Sequence, residues 1–244
     1  MLFRDSDTGP EVLLVERPSH VSFGGSWVFP GGGVESADCD EYFDGLSQAC
    51  IETAASQRLG IDSNALCWLI AAVREVFEET GIVLSENKLS AAVEPESNSN
   101  QPALFLDQCR ESNWIPSVGR LHYLSFWIAP EWVSPRYATR FFATALPEGQ
   151  VCRPDGIECL NHKWLKPEEA IEQSSELQLP RPTIENLRSV CGHRKVKELL
   201  EALASRPVPL VPVLWPHKVD GELLLDAKPE QLRNLKIMPP GDPS

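Results

Sequence analysis

Arg74-Glu75-Val76-Phe77-Glu78-Glu79-Thr80-Gly81-Ile82 places three carboxylates at positions i, i+3 and i+4, the spacing of neighbours on one face of an α-helix. Like charges so spaced destabilise a helix by roughly 0.2–0.5 kcal/mol per pair, so a bound cation would remove a standing penalty. At about 100° per residue, Leu66, Leu69, Ile70, Val73 and Phe77 gather opposite the glutamates. One face is therefore suited to a core and the other to a metal, and Ala71 and Ala72 near the acidic side leave room for a ligand. Asp62, Ser63 or Asn64 can supply the N-cap, and Gly81 can take the left-handed C′ position. Arg74 flanks the acidic stripe, where a planar guanidinium can hold a carboxylate bidentately. Taken alone, such a string also fits a solvated, charged helix face, and its neighbours decide between the two readings.

Upstream, Glu11-Val12-Leu13-Leu14-Val15-Glu16-Arg17 reads as a strand. It is followed by Ser26-Trp27-Val28-Phe29-Pro30-Gly31-Gly32-Gly33-Val34-Glu35. Pro30 fixes φ, and the glycines after it allow conformations and close approaches closed to other residues. A backbone carbonyl from such a loop can ligate a metal.

Together these segments resemble the Nudix hydrolase family, whose signature runs Gly-x5-Glu-x7-Arg-Glu-U-x-Glu-Glu-x-Gly-U, with U a bulky apolar residue. Residues Arg74 to Ile82 match every specified position of the second half. Counting from Gly32, the first glutamate position holds Asp38, and 36 residues separate it from Arg74 where the family's usual gap is 8, so 28 residues interrupt the box. That interruption resembles one branch, the coenzyme A diphosphatases of peroxisomal type and their bacterial relatives. Further landmarks of the branch are Trp127-Ile128-Ala129-Pro130, Arg136-Tyr137-Ala138-Thr139-Arg140-Phe141-Phe142, Trp164-Leu165 before Pro167, and Leu179-Pro180-Arg181-Pro182-Thr183. The resemblance spans roughly residues 10–195.

The resemblance implies an α+β Nudix fold, a mixed β-sheet sandwiched between helices in α/β/α layers. Residues 1–180 would form the Nudix domain with an insertion at 39–64, and 181–244 a helical and proline-rich extension packed on it. It also implies a ligand set for Mg²⁺ or Mn²⁺: Glu75, Glu78, Glu79 and the carbonyl of Gly31, with Arg74 orienting the carboxylates. The family's distant metal-binding glutamate matches Glu158, six residues before Trp164; Glu148, in a Pro-Glu-Gly loop, is its rival, and either can instead be an ordinary surface acid. Asp38 either helps bind metal or merely ends the loop. Candidate substrate contacts are Arg17, Gly32 and Phe23, with His20 in the same loop; Arg136 and Arg140 are further sources of positive charge.

Composition agrees with a globular enzyme. A chain of 244 residues, 42% hydrophobic and 23% charged, can bury one sizeable core. No apolar run approaches the roughly 20 residues that span a bilayer, and Met1-Leu2-Phe3-Arg4-Asp5 has neither a long hydrophobic region nor a cleavage site. A net charge of −13 argues against sequence-independent nucleic-acid binding, which needs Lys and Arg to neutralise phosphates. Seven cysteines without Cys-x-x-Cys spacing point to reduced thiols in a cytoplasmic setting, packed as small hydrophobes. Trp27, Phe29, Trp127, Phe141 and Trp164 fit core positions, and His122 and His162 fit packing or hydrogen-bonding positions in strands.

The expected elements are an abbreviated strand at Leu2-Phe3, a strand at 12–17, a weak helix at 46–59 within the insertion, and the acidic helix at 65–80. A short helix at 104–110 and strands at 121–128, 140–146 and 158–165 follow. Helices are then expected from near Pro167 and at 183–190 and 195–205, before a proline-punctuated edge segment and a strand at 222–226. The expected activity is Mg²⁺-dependent cleavage of the diphosphate in a small-molecule nucleoside diphosphate derivative, coenzyme A or an acyl-coenzyme A being favoured. Open alternatives are ADP-ribose, dinucleotide polyphosphates or capped RNA as substrate, or a nucleotide-sensing module without catalysis. No membrane partner is expected, and a homodimer is left open.

Overall fold

Val12, Leu13, Leu14 and Val15 are all fully buried, which is why the second strand reads as an unbroken apolar run: both of its faces are covered. In the computed structural model of the protein, the described residues are 1–20, 24–46, 50–89, 93–95, 102–129 and 137–206, with three short strands beyond them. The strands are β1 (Leu2–Ser6), β2 (Gly9–Glu16), β3 (Trp27–Val28), β4 (His122–Ile128), β5 (Ala138–Ala145), β6 (His162–Leu165), β7 (Val213–Leu214), β8 (His217–Val219) and β9 (Glu222–Leu224). The sheet runs β3-β2-β1-β5-β4-β7, with β6 also pairing β2. It is mixed, because β1 and β5 are parallel, as are β4 and β7, while β1–β2 and β4–β5 are antiparallel. The segment expected to lie extended at an edge supplies β7, and β8 and β9 pair with each other.

Alternation along β2 sorts the core into two layers. Leu13 and Val15 join a cluster with Phe43, Leu69, Val73, Phe77, Phe105 and Trp114; Val12 and Leu14 join another with Leu177, Leu187, Leu199 and Leu203. The first layer is carried by α1 (Glu41–Leu46), α2 (Cys50–Leu59), α3 (Ala65–Thr80) and α4 (Pro102–Ser112), the second by α5 (Pro167–Glu172), α6 (Arg181–Ser189) and α7 (Val196–Ser205). The chain thus adopts the expected α/β/α arrangement of the Nudix fold. None of the described helices is long and apolar enough to cross a membrane.

Between the Pro30–Gly33 loop and α3 the chain forms a 3-10 turn (Ser36–Cys39), α1 and α2. This insertion caps the acidic helix. Asn64 occupies the N-cap position at φ 62° without a side-chain cap bond; instead Glu52 on α2 accepts the Ala65 and Leu66 amides at 3.0 and 2.8 Å. A carboxylate there satisfies two free amides and faces the positive end of the helix dipole, a role expected of residues 62–64. At the other end Gly81 is left-handed, φ 68°, and its amide bonds the Phe77 carbonyl at 2.8 Å.

Candidate functional site

Arg74 organises the acidic face of α3. Its side chain is 3% exposed, yet Nε and Nη2 bond the two oxygens of Asp38 at 2.8 and 3.1 Å, Nη1 reaches Glu75 and Glu78 at 2.8 Å each, and Nη2 also bonds the Gly33 carbonyl at 2.8 Å. Burial opposes the charge, but Asp38, Glu75 and Glu78 outweigh it and hold the guanidinium above its ordinary pKa. Asp38 is itself 1% exposed and accepts the Glu35 amide at 2.7 Å. Its contacts are those of a clamp on Arg74, joining the glycine loop to the helix.

Glu75, Glu79 and Glu158 converge, each offering an oxygen within 4.8 Å of the others. Glu78, half-buried, is engaged by Arg74 and is not one of these three. The acidic stripe is not the exposed face that helical periodicity suggested: Glu75 and Glu79 are 8% and 3% exposed. The glycine loop covers them, the Gly31 amide donating to Glu79 at 3.0 Å. A Cβ at Gly32 would lie 2.5 Å from a Glu75 oxygen, so a side chain there would displace a carboxylate that Arg74 holds in place.

Such crowding disfavours charge. Burial, against the pull of Arg74 and with Glu78 adding repulsion, pushes the Glu75 carboxyl up to about 7. Burial and the Glu75 charge push Glu79 up to about 8, opposed by the Gly31 amide and by Arg17. Glu78 is raised as well, chiefly by burial and against Arg74. Clustered, desolvated hard oxygens that hold protons near neutrality are a donor set for a hard divalent cation, which would take the protons' place.

Glu158 comes from a turn, not from the strand expected at 158–165, which begins only at His162. The Asp155 side chain accepts the amides of Ile157, Glu158 and Cys159 at 3.1, 3.1 and 2.8 Å. These bonds compete with strand pairing and present Glu158 toward α3; Asp155 had carried no sequence signal beyond an Asp-Gly pair. Glu148 is exposed and belongs to no such cluster among the described residues. Arg17, at the end of β2, acts electrostatically on Glu79, and its buried Nε has no hydrogen-bond partner. Phe23 and Arg136 lie outside the described residues, and His20 is exposed.

The expectation of reduced thiols is corrected at one pair. Cys39 and Cys67 form a disulfide with Cα atoms 4.8 Å apart, which ties the turn that carries Asp38 to α3 seven residues before Arg74, the helix position that Asp38 itself binds. The pairing has no local spacing signature because the two residues are 28 apart and meet only once the insertion folds back. Cys109, Cys152 and Cys159 are free and buried.

Comparisons with known proteins give the family and the fold. A family model described as the NUDT19 Nudix domain matches residues 54–190, a span that holds α3 and Glu158 but not the glycine loop or Asp38. Acyl-coenzyme A diphosphatase NUDT19 of Xenopus laevis is 27% identical over 241 residues, covering 80% of this chain and 63% of that protein. The Homo sapiens protein of the same name is 26% identical over 236 residues, covering 78% and 63%. The chain therefore spans about 63% of the length of these relatives. In fold, it resembles the crystal structure of a NUDIX hydrolase from Alicyclobacillus acidocaldarius, with a TM-score of 0.65 and 21% identity over 85% of this chain and 94% of that one.

Proposed function

The chain belongs to the Nudix family described by the NUDT19 domain, and from that premise we propose that it hydrolyses the diphosphate linkage of a nucleoside diphosphate derivative, coenzyme A or an acyl-coenzyme A being the favoured substrate. The carrying observation is the convergence of Glu75 and Glu79, on a helix, with Glu158, on a remote turn, within 4.8 Å. Once ionised, these carboxylates would repel a diphosphate unless a cation stood between them, and the all-oxygen donor set suits Mg²⁺ or Mn²⁺. Glu75, Glu79 and Glu158 would hold the ion, with Glu78 and the Gly31 carbonyl beside them. When bound, the metal neutralises phosphate charge and makes a bound water more acidic. Arg74 fixes the rotamers of Glu75 and Glu78 through its bonds to both, and Asp38 fixes Arg74 in turn. Arg17, whose buried Nε has no hydrogen-bond partner and whose charge acts on Glu79, would donate to a diphosphate oxygen. The coenzyme A preference draws on the names of the relatives.

The test is product analysis by mass spectrometry after incubation with coenzyme A, an acyl-coenzyme A, ADP-ribose and a diadenosine polyphosphate, each with Mg²⁺ or EDTA. Metal-dependent release of 3′,5′-ADP and a phosphopantetheine from the first two is the expected result. Cleavage of only the others would retain the chemistry and discard the substrate, whereas no cleavage of any by micromolar enzyme over hours would sink the hydrolase reading.

A further inference from the structure

Arg140 is a second buried arginine on the same side of the sheet, and among the described residues no carboxylate pairs with it. It is 9% exposed and, among the described residues, makes no salt bridge; its Nε and Nη1 are buried without a hydrogen-bond partner. The guanidinium carbon lies over two aromatic rings, 4.3 Å from the Trp68 ring centroid and 4.1 Å from that of Phe126. Cation–π contact with these rings answers part of the charge but none of the N–H groups, whose hydrogen bonds run within the guanidinium plane. Tyr123 is the polar neighbour: its hydroxyl interacts with the guanidinium without an aligned hydrogen bond, and as a neutral phenol it leaves the charge unmatched. Burial lowers the Arg140 pKa from its ordinary value and Tyr123 offsets this only in part. A buried donor without an acceptor is costly, and more so when charged, so the arrangement is that of a fork lacking its anion.

Position says what anion would fit. Trp68, which packs against Arg140, precedes Glu75 by seven residues on α3, two turns or about 10 Å along the axis and only about 20° around it. The Arg140 fork and the carboxylate cluster are therefore served by one stripe of one helix, separated by about the length of a nucleoside. A phosphate monoester pairs with an arginine fork through parallel charge-assisted bonds.

We propose that Arg140, packed against the rings of Trp68 and Phe126, binds a phosphomonoester on the ribose of the substrate, selecting 3′-phosphorylated nucleotides over those whose only phosphates are in the diphosphate. This deepens the diphosphatase reading and rests on it for the placement of the diphosphate, but it is tested apart from turnover. The probes are 3′,5′-ADP and 5′-AMP, which differ by the 3′-phosphate and carry no diphosphate linkage, titrated calorimetrically into the full chain with Mg²⁺. The unsubstituted protein is expected to bind 3′,5′-ADP about tenfold or more tighter than 5′-AMP, the scale of a charge-assisted pair. Arg140→Gln should bring the ratio to about one while leaving 5′-AMP affinity in place. Equal affinities for the two probes in the unsubstituted protein, or an unchanged ratio in the variant, would overturn the proposal. Should Arg140→Gln fail to fold, Arg140→Lys, which keeps charge but loses the fork, is expected to lower the ratio several-fold, and an unchanged ratio there overturns it equally. Turnover of coenzyme A and dephospho-coenzyme A is measured in parallel: cleavage of neither defeats the hydrolase reading, while the probe ratio alone decides on Arg140.

Discussion

Two arginines are buried on the α3 side of the sheet, and they are treated in opposite ways. Arg74 meets three carboxylates and a carbonyl; Arg140 meets two aromatic rings and, among the described residues, no anion. The first is neutralised by the fold and so belongs to its architecture. The second is desolvated but unneutralised, the condition of a binding group awaiting a ligand. Replacing each by methionine exposes the contrast most strongly. Arg74→Met strands three buried or half-buried acids and should cost about 3–5 kcal/mol in urea unfolding, the usual result of removing one partner of a buried pair. Arg140→Met exchanges two cation–π contacts for relief from burying an unpaired charge, and should change stability by about 1 kcal/mol or less. Comparable losses in both would show that Arg140 has a structural partner after all.

The contrast also separates groups that build the site from groups that act in it. Glu79 lies at the centre of the cluster and its charge is opposed by burial and by Glu75. Glu79→Gln should remove about 10²–10³-fold of metal-dependent diphosphate turnover, since several kcal/mol of charge stabilisation depend on the ligand set. Unfolding should remain cooperative, because the repulsion is relieved and the Gly31 amide keeps an oxygen acceptor. A variant that unfolds without denaturant would make Glu79 a structural residue.

A subtler break is Gly32→Ala. The added methyl would sit 2.5 Å from the Glu75 carboxylate, which cannot swing freely because Arg74 holds it at 2.8 Å. Displacement of a ligand by part of an ångström with the fold intact should lower turnover by roughly tenfold, the lower range for disturbance next to a metal ligand. Unchanged kinetics would show that Glu75 shifts without consequence.

How much of this was legible beforehand follows the range of the forces involved. The acidic helix was readable as 65–80 because periodicity and Gly81 are local, and β2 because four adjacent apolar residues need two covered faces. The N-cap position was legible, since Asn64 occupies it, but the capping bond was not, because Glu52 supplies it from another helix, 13 residues before Ala65. The strand expected from Glu158 was misplaced because the Asp155 carboxylate takes the amides that pairing would have used. Burial of Glu75 and Glu79 was hidden because the covering loop lies 48 residues before Glu79. That Arg140 lacks a partner is a property of the whole neighbourhood, which no window of sequence contains.

The gentlest probe of the two charge regimes is pH. Glu75 and Glu79 are raised in the folded chain from about 4.5 to about 7 and about 8, so between roughly pH 5 and 8 the folded state holds more protons than the unfolded one. Stability of the metal-free protein is then fully present at the acid end of that window and is lost as pH rises through 7 and 8. A divalent cation replaces those protons, so Mg²⁺ should raise the melting temperature more at pH 8.5 than at pH 6, by the equivalent of about 1 kcal/mol at ten times its dissociation constant. Thermal melts with Mg²⁺ or EDTA at the two pH values measure this. Arg140→Gln should leave that difference intact, because its charge faces aromatic rings rather than the carboxylates, whereas Arg74→Lys should alter it. An equal Mg²⁺ effect at both pH values would mean that the carboxylates are already ionised when the metal arrives, and that the loop does not desolvate them.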